Sequence, residues 1–307
     1  MAFQITLHQM LIFLIIIVIG YIAAKRGLVT RDALPHLAKL ITNIFLPAMG
    51  FMATWSGSTR EALFGNWWIL IFTAVYYAIL TALIFGLSKL MRLKGDRDRV
   101  FTFCFTFGNL GFVGIPLITA MMPGSGMLYY AVFFIIDTAY FWTFGQFWCT
   151  PHNAKFSVAP RNLININVIS LLLALLFIVL QIPLPEIAAD ALSTLAGATT
   201  ACCMVYLGAL LCFSNWLSIL KCPELYVGIA VKMVAVPVVV GMALVAIGLP
   251  TTAAVVMATV PSLPCMTLAP ILVDAKGSDG EYAAGIMAAT LVVSIVTIPL
   301  VQFLLGF

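Results

Sequence analysis

"FGNLGFVGIPL", residues Phe107–Leu117, lies inside a long apolar run, and its reading decides the fold. It holds Gly108, Asn109, Gly111, Gly114 and Pro116, none of which suits an uninterrupted helix in lipid. Proline removes an amide donor and crowds the turn before it. Hydrocarbon offers no water to the backbone groups this frees. Such a break therefore survives only where it is buried in protein or lines a wet cavity.

Composition puts the chain in lipid. Its 307 residues are 63% hydrophobic and 8% charged, where a soluble domain averages about 25% charged. No soluble fold of this length hides so much apolar surface. The net charge of +4 matters less than its placement. Cys104, Cys149, Cys202, Cys203, Cys212, Cys222 and Cys265 form no Cys-x-x-Cys pair, and most lie in apolar runs, where cysteine acts as a small hydrophobe. His8, His36 and His152 are far apart, so neither a metal site nor a catalytic triad is expected.

A crossing helix needs about 20 apolar residues. Cut at charge, glycine and proline, the chain gives ten expected spans: 5–24, 34–55, 66–90, 99–121, 126–148, 163–182, 190–213, 223–247, 251–273 and 282–306. The cuts at Pro123-Gly124 and Gly248-Leu249-Pro250 carry almost no charge. No basic residue precedes the first run, whereas Lys25 and Arg26 follow it, so it is expected to be retained as a span with its N-terminus outside.

Basic residues orient the rest. The loops after odd-numbered spans, with the span ends that border them, hold Lys25, Arg26, Arg31, Lys89, Arg92, Lys94, Arg97, Arg99, Lys155, Arg161, Lys221 and Lys276, which is 12 of the 15 Lys and Arg. Even-numbered loops and the termini hold only Arg60, and Lys39 and Lys232 lie within spans. That asymmetry puts the odd loops in the cytoplasm and both termini outside. Trp55, Trp67, Trp68, Trp148 and Trp216 fall near span ends, where amphipathic rings settle at headgroups. Trp142 lies deeper.

The polar, basic stretch Thr150–Asn162 divides the chain into residues 1–150, a cytoplasmic linker 151–162, and residues 163–307. Five spans per half force the second half to enter from the opposite side, so halves of like fold would be inverted repeats. The fourth span of the second half reads "TVPSLPCMTLAP", with Pro261, Pro264 and Pro270. Equivalent spans are thus interrupted in both halves, with Asn109 at one break and Ser262, Cys265 and Thr267 at the other. Paired interruptions point to a transporter's binding site, and broken helices offer N-terminal N–H groups to an anion. A packing kink is the plain alternative for either span alone.

"GNLGFVGIPL" resembles the fourth-helix signature of the auxin efflux carrier family, which includes PIN-type auxin transporters and bacterial organic-acid carriers. "LAKLITNIFLPAMGF" (Leu37–Phe51) resembles its second helix, with Asn43 and Pro47 in place. "KMVAVP" (Lys232–Pro237) resembles its eighth, and Pro264–Leu300 its ninth and tenth. The resemblance implies an all-α membrane protein of ten transmembrane helices in two inverted five-helix repeats. Helices 1, 2, 6 and 7 would form a dimerising scaffold, and helices 3–5 and 8–10 a mobile transport core. The broken fourth and ninth helices would cross at the substrate, with Asn109 and Pro264 facing each other. Three segments depart from the family pattern: "NINVI" (Asn165–Ile169) lacks the usual proline, "TTACCMVYLGALL" (Thr199–Leu211) lacks one before its Leu-Gly, and the ninth helix has extra prolines at Pro261 and Pro270. The first two bear on substrate identity more than on fold, and the third on where the ninth helix breaks.

Two charges lie at membrane depth. Asp137, in "YYAVFFIIDTAYFWTF", is expensive there, and two readings stand: a structural hydrogen bond, or a proton or cation site supporting the crossing. Lys232 either snorkels to the cytoplasmic surface or faces inward to counter a substrate anion or Asp137. Lys39 is near enough to a span end to snorkel. Arg97, Asp98 and Arg99 read as a solvated, topological charge run.

No P-loop or other cofactor motif is visible, so no cofactor, nucleic acid or ATP-driven step is expected. The expected function is secondary transport of a small organic anion (a carboxylate) across the cytoplasmic membrane by alternating access. Gly108, Asn109, Gly111, Asn43, Pro264, Cys265 and Thr267 would bind substrate, and Asp137 and Lys232 would couple or support. A proton or a sodium ion is the candidate coupling partner, and a homodimer follows from the resemblance. The alternative is a sodium-coupled symporter of the bile-acid carrier type, for which Asp137 is the obvious carboxylate. An intramembrane enzyme or channel would want a catalytic constellation or pore ring, and neither is visible.

Overall fold

The computed structural model describes residues 2–57, 59–122, 125–154, 166–214 and 216–307. Among these, all regular secondary structure is helical apart from one antiparallel bridge, Gly108 with Cys265. The helices are α1 (Ala2–Lys25), α2 (Arg31–Ser56), α3 (Trp68–Leu90), α4 (Arg97–Thr106), α5 (Leu110–Met121) and α6 (Gly126–Trp148). They continue with α7 (Ile166–Leu180), α8 (Glu186–Phe213), α9 (Pro223–Ala246), α10 (Thr251–Ser262), α11 (Ala269–Ala275) and α12 (Gly280–Leu304). The short turns Arg60–Gly65 and Trp216–Lys221 lead into α3 and α9. Seven helices (α1, α2, α3, α6, α8, α9 and α12) are long and apolar enough to cross a membrane, and α5, α7 and α10 are apolar but shorter.

Every expected span falls on a helix; the fourth falls on α4 and α5, and the ninth on α10 and α11. The cut at Pro123-Gly124, the basic residues Lys155 and Arg161, Asn165 and most of the linker lie outside the described residues. The other weakly marked cut has a clear cause. Gly248 takes φ 80, and the N–H groups of Gly248 and Leu249 reach back to the carbonyls of Val245 and Leu244. This is a glycine-terminated helix end, and Pro250 bars continuation.

Local sequence also explains where helices widen. The π-type turns Ile41–Phe45, Leu110–Gly114 and Ile229–Ala235 stand just before Pro47, Pro116 and Pro237. A proline cannot donate to the preceding turn, so the ladder opens there. A fourth such turn, Phe141–Gly145, precedes no proline and contains Gly145.

α1, α2, α7 and α8 pack on one another, and α1 against α12 and α2 against α6 join them to the rest. α1 and α8 approach backbone to backbone: a Cβ at Gly20 would meet the Val205 backbone, and one at Gly208 would run into Ile17 and the Tyr21 amide. Small residues permit such contact where lipid supplies no hydrophobic drive between helices. The outside is apolar, with Ile15 61%, Ile79 63% and Val239 66% exposed, as a lipid-facing surface requires.

The start of α4 is clasped at the basic face. Asp98 is buried and accepts from Lys89 Nζ (2.6 Å), the Arg99 N–H (2.7 Å) and His152 Nε2 (2.9 Å). Arg99 donates to the carbonyls of Thr150 (2.8 Å) and Pro151 (3.1 Å), and stacks 4.4 Å over Phe147. The Arg97–Asp98–Arg99 run is therefore structural at its middle member rather than solvated throughout: one buried carboxylate ties α3, α4 and the end of α6 together. Burial pushes the Asp98 carboxyl up, but the bonds from Lys89, His152 and the Arg99 N–H outweigh it and hold it below the usual carboxylate range.

Two outcomes follow from this packing. Gly208→Ala lowers thermal stability in detergent by about 1–3 kcal/mol, whereas Gly197→Ala on the same helix, with open space around it, leaves it unchanged or raised. Because its folded-state pKa is depressed, Asp98 stabilises fully above about pH 4, and the contribution fades as pH falls through the lowered value. Melting profiles of Asp98→Asn between neutral and acid pH should be flatter than those of the parent protein.

Candidate functional site

The two interruptions meet. α4 ends at Thr106, Phe107 turns extended, and α5 restarts at Leu110. α10 ends at Ser262, and α11 begins at Ala269 with Pro270 in its first turn. Between them the Asn109 N–H donates to the Pro264 carbonyl (2.8 Å) and the Met266 N–H to the Phe107 carbonyl (3.2 Å). Freed groups around this pair are also satisfied. The Cys265 N–H donates to Thr290 Oγ1 (3.0 Å), Tyr130 OH to the Leu110 carbonyl (2.6 Å), and Lys232 Nζ to the Leu263 carbonyl. Buried backbone polar groups need such partners, and in hydrocarbon the need is greatest.

Glycine makes the crossing possible. A Cβ at Gly114 would clash with the Tyr130 ring and hydroxyl that hold Leu110, and one at Gly108 would lie 3.4 Å from Leu263 Cβ and 3.7 Å from Lys232 Nζ. Asn109 binds in both directions: its Oδ1 caps α5 through the Phe112 N–H (3.1 Å), and its Nδ2 donates to Thr267 Oγ1 (2.5 Å). Phe107 is held by rings, stacked 5.8 Å from Tyr77 and edge-on 5.2 Å from Phe141.

Beside the crossing lies a cavity of about 420 Å³. The first break contributes Gly108 through Phe112, and the second Met266, Thr267 and Leu268. The widened turn of α2 adds Thr42 and Asn43 with Leu46, and α7 adds Ile166 and Asn167. The remaining wall is α6, through Phe134, Asp137, Thr138, Phe141 and Trp142. Asp137 is half-buried and accepts from Tyr77 OH.

Of the residues expected from sequence, Asn43, Gly108, Asn109, Gly111, Thr267 and Asp137 line this cavity. Pro264 and Cys265 do not; they form the backbone partner of the first break. Ser262 is buried in the end of α10, donating to the Thr259 carbonyl (2.6 Å). Lys232 is 1% exposed, which decides between its two readings: it faces inward at the crossing, held by Leu263, and is not part of the cavity wall. Lys39 is exposed. Sequence reading missed Thr138, Asn167 and the rings of Phe134 and Phe141 as wall residues, along with Tyr77, Tyr130 and Thr290 as supports. Only Thr138, next to Asp137, had a local signal. The others are ordinary span residues whose role comes from distant contacts.

The cap at Asn109 gives a stability test. Asn109→Ala loses the bond to Phe112 and lowers the melting temperature by the equivalent of about 0.5–2 kcal/mol, whereas Asn109→Asp, which keeps the acceptor, loses less.

Comparison with known proteins bears on the class of protein. The family described as membrane transport protein matches residues 5–302. A protein of Schizosaccharomyces pombe, named an uncharacterized transporter, is 23% identical over 145 residues, 41% of this chain. The chain matches about a third of that relative's own length, 32%.

Proposed function

The chain belongs to the membrane transport protein family, and from that premise we propose that it is a secondary carrier for a small organic anion working by alternating access. One observation carries the reading. Two broken helices are bonded to each other, break to break, beside a cavity with amide and hydroxyl groups on its wall. A crossing built only for packing would not need that cavity.

In this reading the chain crosses the cytoplasmic membrane ten times as two inverted five-helix repeats, 1–150 and 163–307, with both termini outside. α1, α2, α7 and α8 serve as a dimerising scaffold. The remaining helices form the core that moves, and the packing of those four on one another supports that division. The substrate carboxylate sits among Asn43, Gly108, Asn109, Gly111 and Thr267, near the N-terminus of α5 with its partial positive charge. Pro264 and Cys265 hold that arrangement from behind. Asp137 and Lys232, interacting electrostatically across the crossing, couple transport to a proton or sodium gradient.

Uptake of a panel of radiolabelled organic acids into proteoliposomes, with proton and sodium gradients applied separately, tests this. At least one acid should accumulate, and Asn109→Ala should reduce its uptake by about tenfold or more. No uptake of any acid would contradict the reading, and unchanged affinity in Asn109→Ala would remove that residue from the site. Asp137→Asn should alter the response to one of the two gradients; an unaltered response to both would remove its coupling role.

A further inference from the structure

The cavity has an unexpected charge pattern for an anion site. Among the described residues that line it, the one ionisable side chain is Asp137, a carboxylate. Among the described residues, which leave out Lys155 and Arg161, no lysine or arginine lines the wall. Lys232 is withheld from it, buried and donating to the Leu263 carbonyl. A bare organic anion would therefore face the Asp137 carboxyl with no cationic wall residue among the described ones to receive it.

We propose, building on the carrier reading, that the substrate is an amino carboxylate, a zwitterion without net charge. Its ammonium group faces Asp137, whose Oδ1 is steadied by Tyr77 OH. Its carboxylate takes hydrogen bonds from Asn43 and from the Thr267 hydroxyl. Thr267 already accepts from Asn109 Nδ2, so its own proton is free to point elsewhere. Asn109 has both side-chain ends engaged and acts as a positioning residue. Phe134, Phe141 and Trp142 supply the apolar part of the wall, and aromatic faces also tolerate an ammonium group. With both groups ionised, Asp137 and Lys232 sum to zero, and a neutral, dipolar ligand leaves that sum unchanged.

The test uses three matched pairs of the same carbon skeleton with and without the amine: alanine and propanoate, leucine and 4-methylpentanoate, phenylalanine and 3-phenylpropanoate. Affinities are measured on the purified full-length protein, and exchange is followed in proteoliposomes loaded with the same compound, which needs no assumption about the coupling ion. In at least one pair the amino acid should bind about tenfold or more tightly than its des-amino partner. Asp137→Asn should bring that ratio near one, and Asp137→Glu should keep it. Should the asparagine variant fail to fold, the wild-type ratio and the glutamate variant still decide. Equal or tighter binding of the des-amino acid in every pair overturns the proposal while leaving an organic-anion carrier standing. Binding of none of the amino acids also overturns it, and failure of the wider acid panel as well would take the carrier reading with it.

Discussion

Two backbone hydrogen bonds, from Asn109 to Pro264 and from Met266 to Phe107, make the rest of the structure possible. Each broken helix leaves carbonyls and amides that lipid cannot satisfy. Either break alone would carry a heavy penalty. Set against each other, each supplies the partners the other lacks, and Thr290, Tyr130 and Lys232 satisfy further groups. The crossing therefore holds only if its two segments, more than 150 residues apart in sequence, arrive together. The clasp at Asp98, the ring stack around Phe107 and the glycine seam between α1 and α8 all help to bring them there.

The same constraint explains the cavity and the polar groups on its wall. Irregular backbone at membrane depth needs neighbours that are protein or water, so a site grows beside it. Asn109 shows the economy of the arrangement. One amide caps α5 and ties it to Thr267, so the residue that starts one half-helix also fixes the other segment. Gly108 and Gly111 keep side-chain bulk out of the space that results.

Much of this was legible in the sequence because the signals are local. Hydropathy and the placement of lysine and arginine mark where helices lie, and proline and glycine at Phe107–Leu117 and Thr259–Pro270 mark the breaks. The prolines at 47, 116 and 237 also coincide with widened turns. What sequence could not yield depends on distance across the fold. Whether Lys232 snorkels or turns inward is a matter of what stands beside it, and Leu263 lies 31 positions away. Tyr77 meets Asp137 across 60 positions, with nothing in its own segment to distinguish it from Tyr76. Asp98 looked like one more solvated charge because its partner His152 lies 54 residues on.

A structure of the full-length protein in a lipid bilayer, determined with a transported compound bound, bears most directly on the central claim. The expected result is ligand density between Asn43, Thr267 and Asp137, against two helices interrupted at Asn109 and Pro264 and bonded to each other. Ligand bound elsewhere, or straight helices running through both segments, would contradict it.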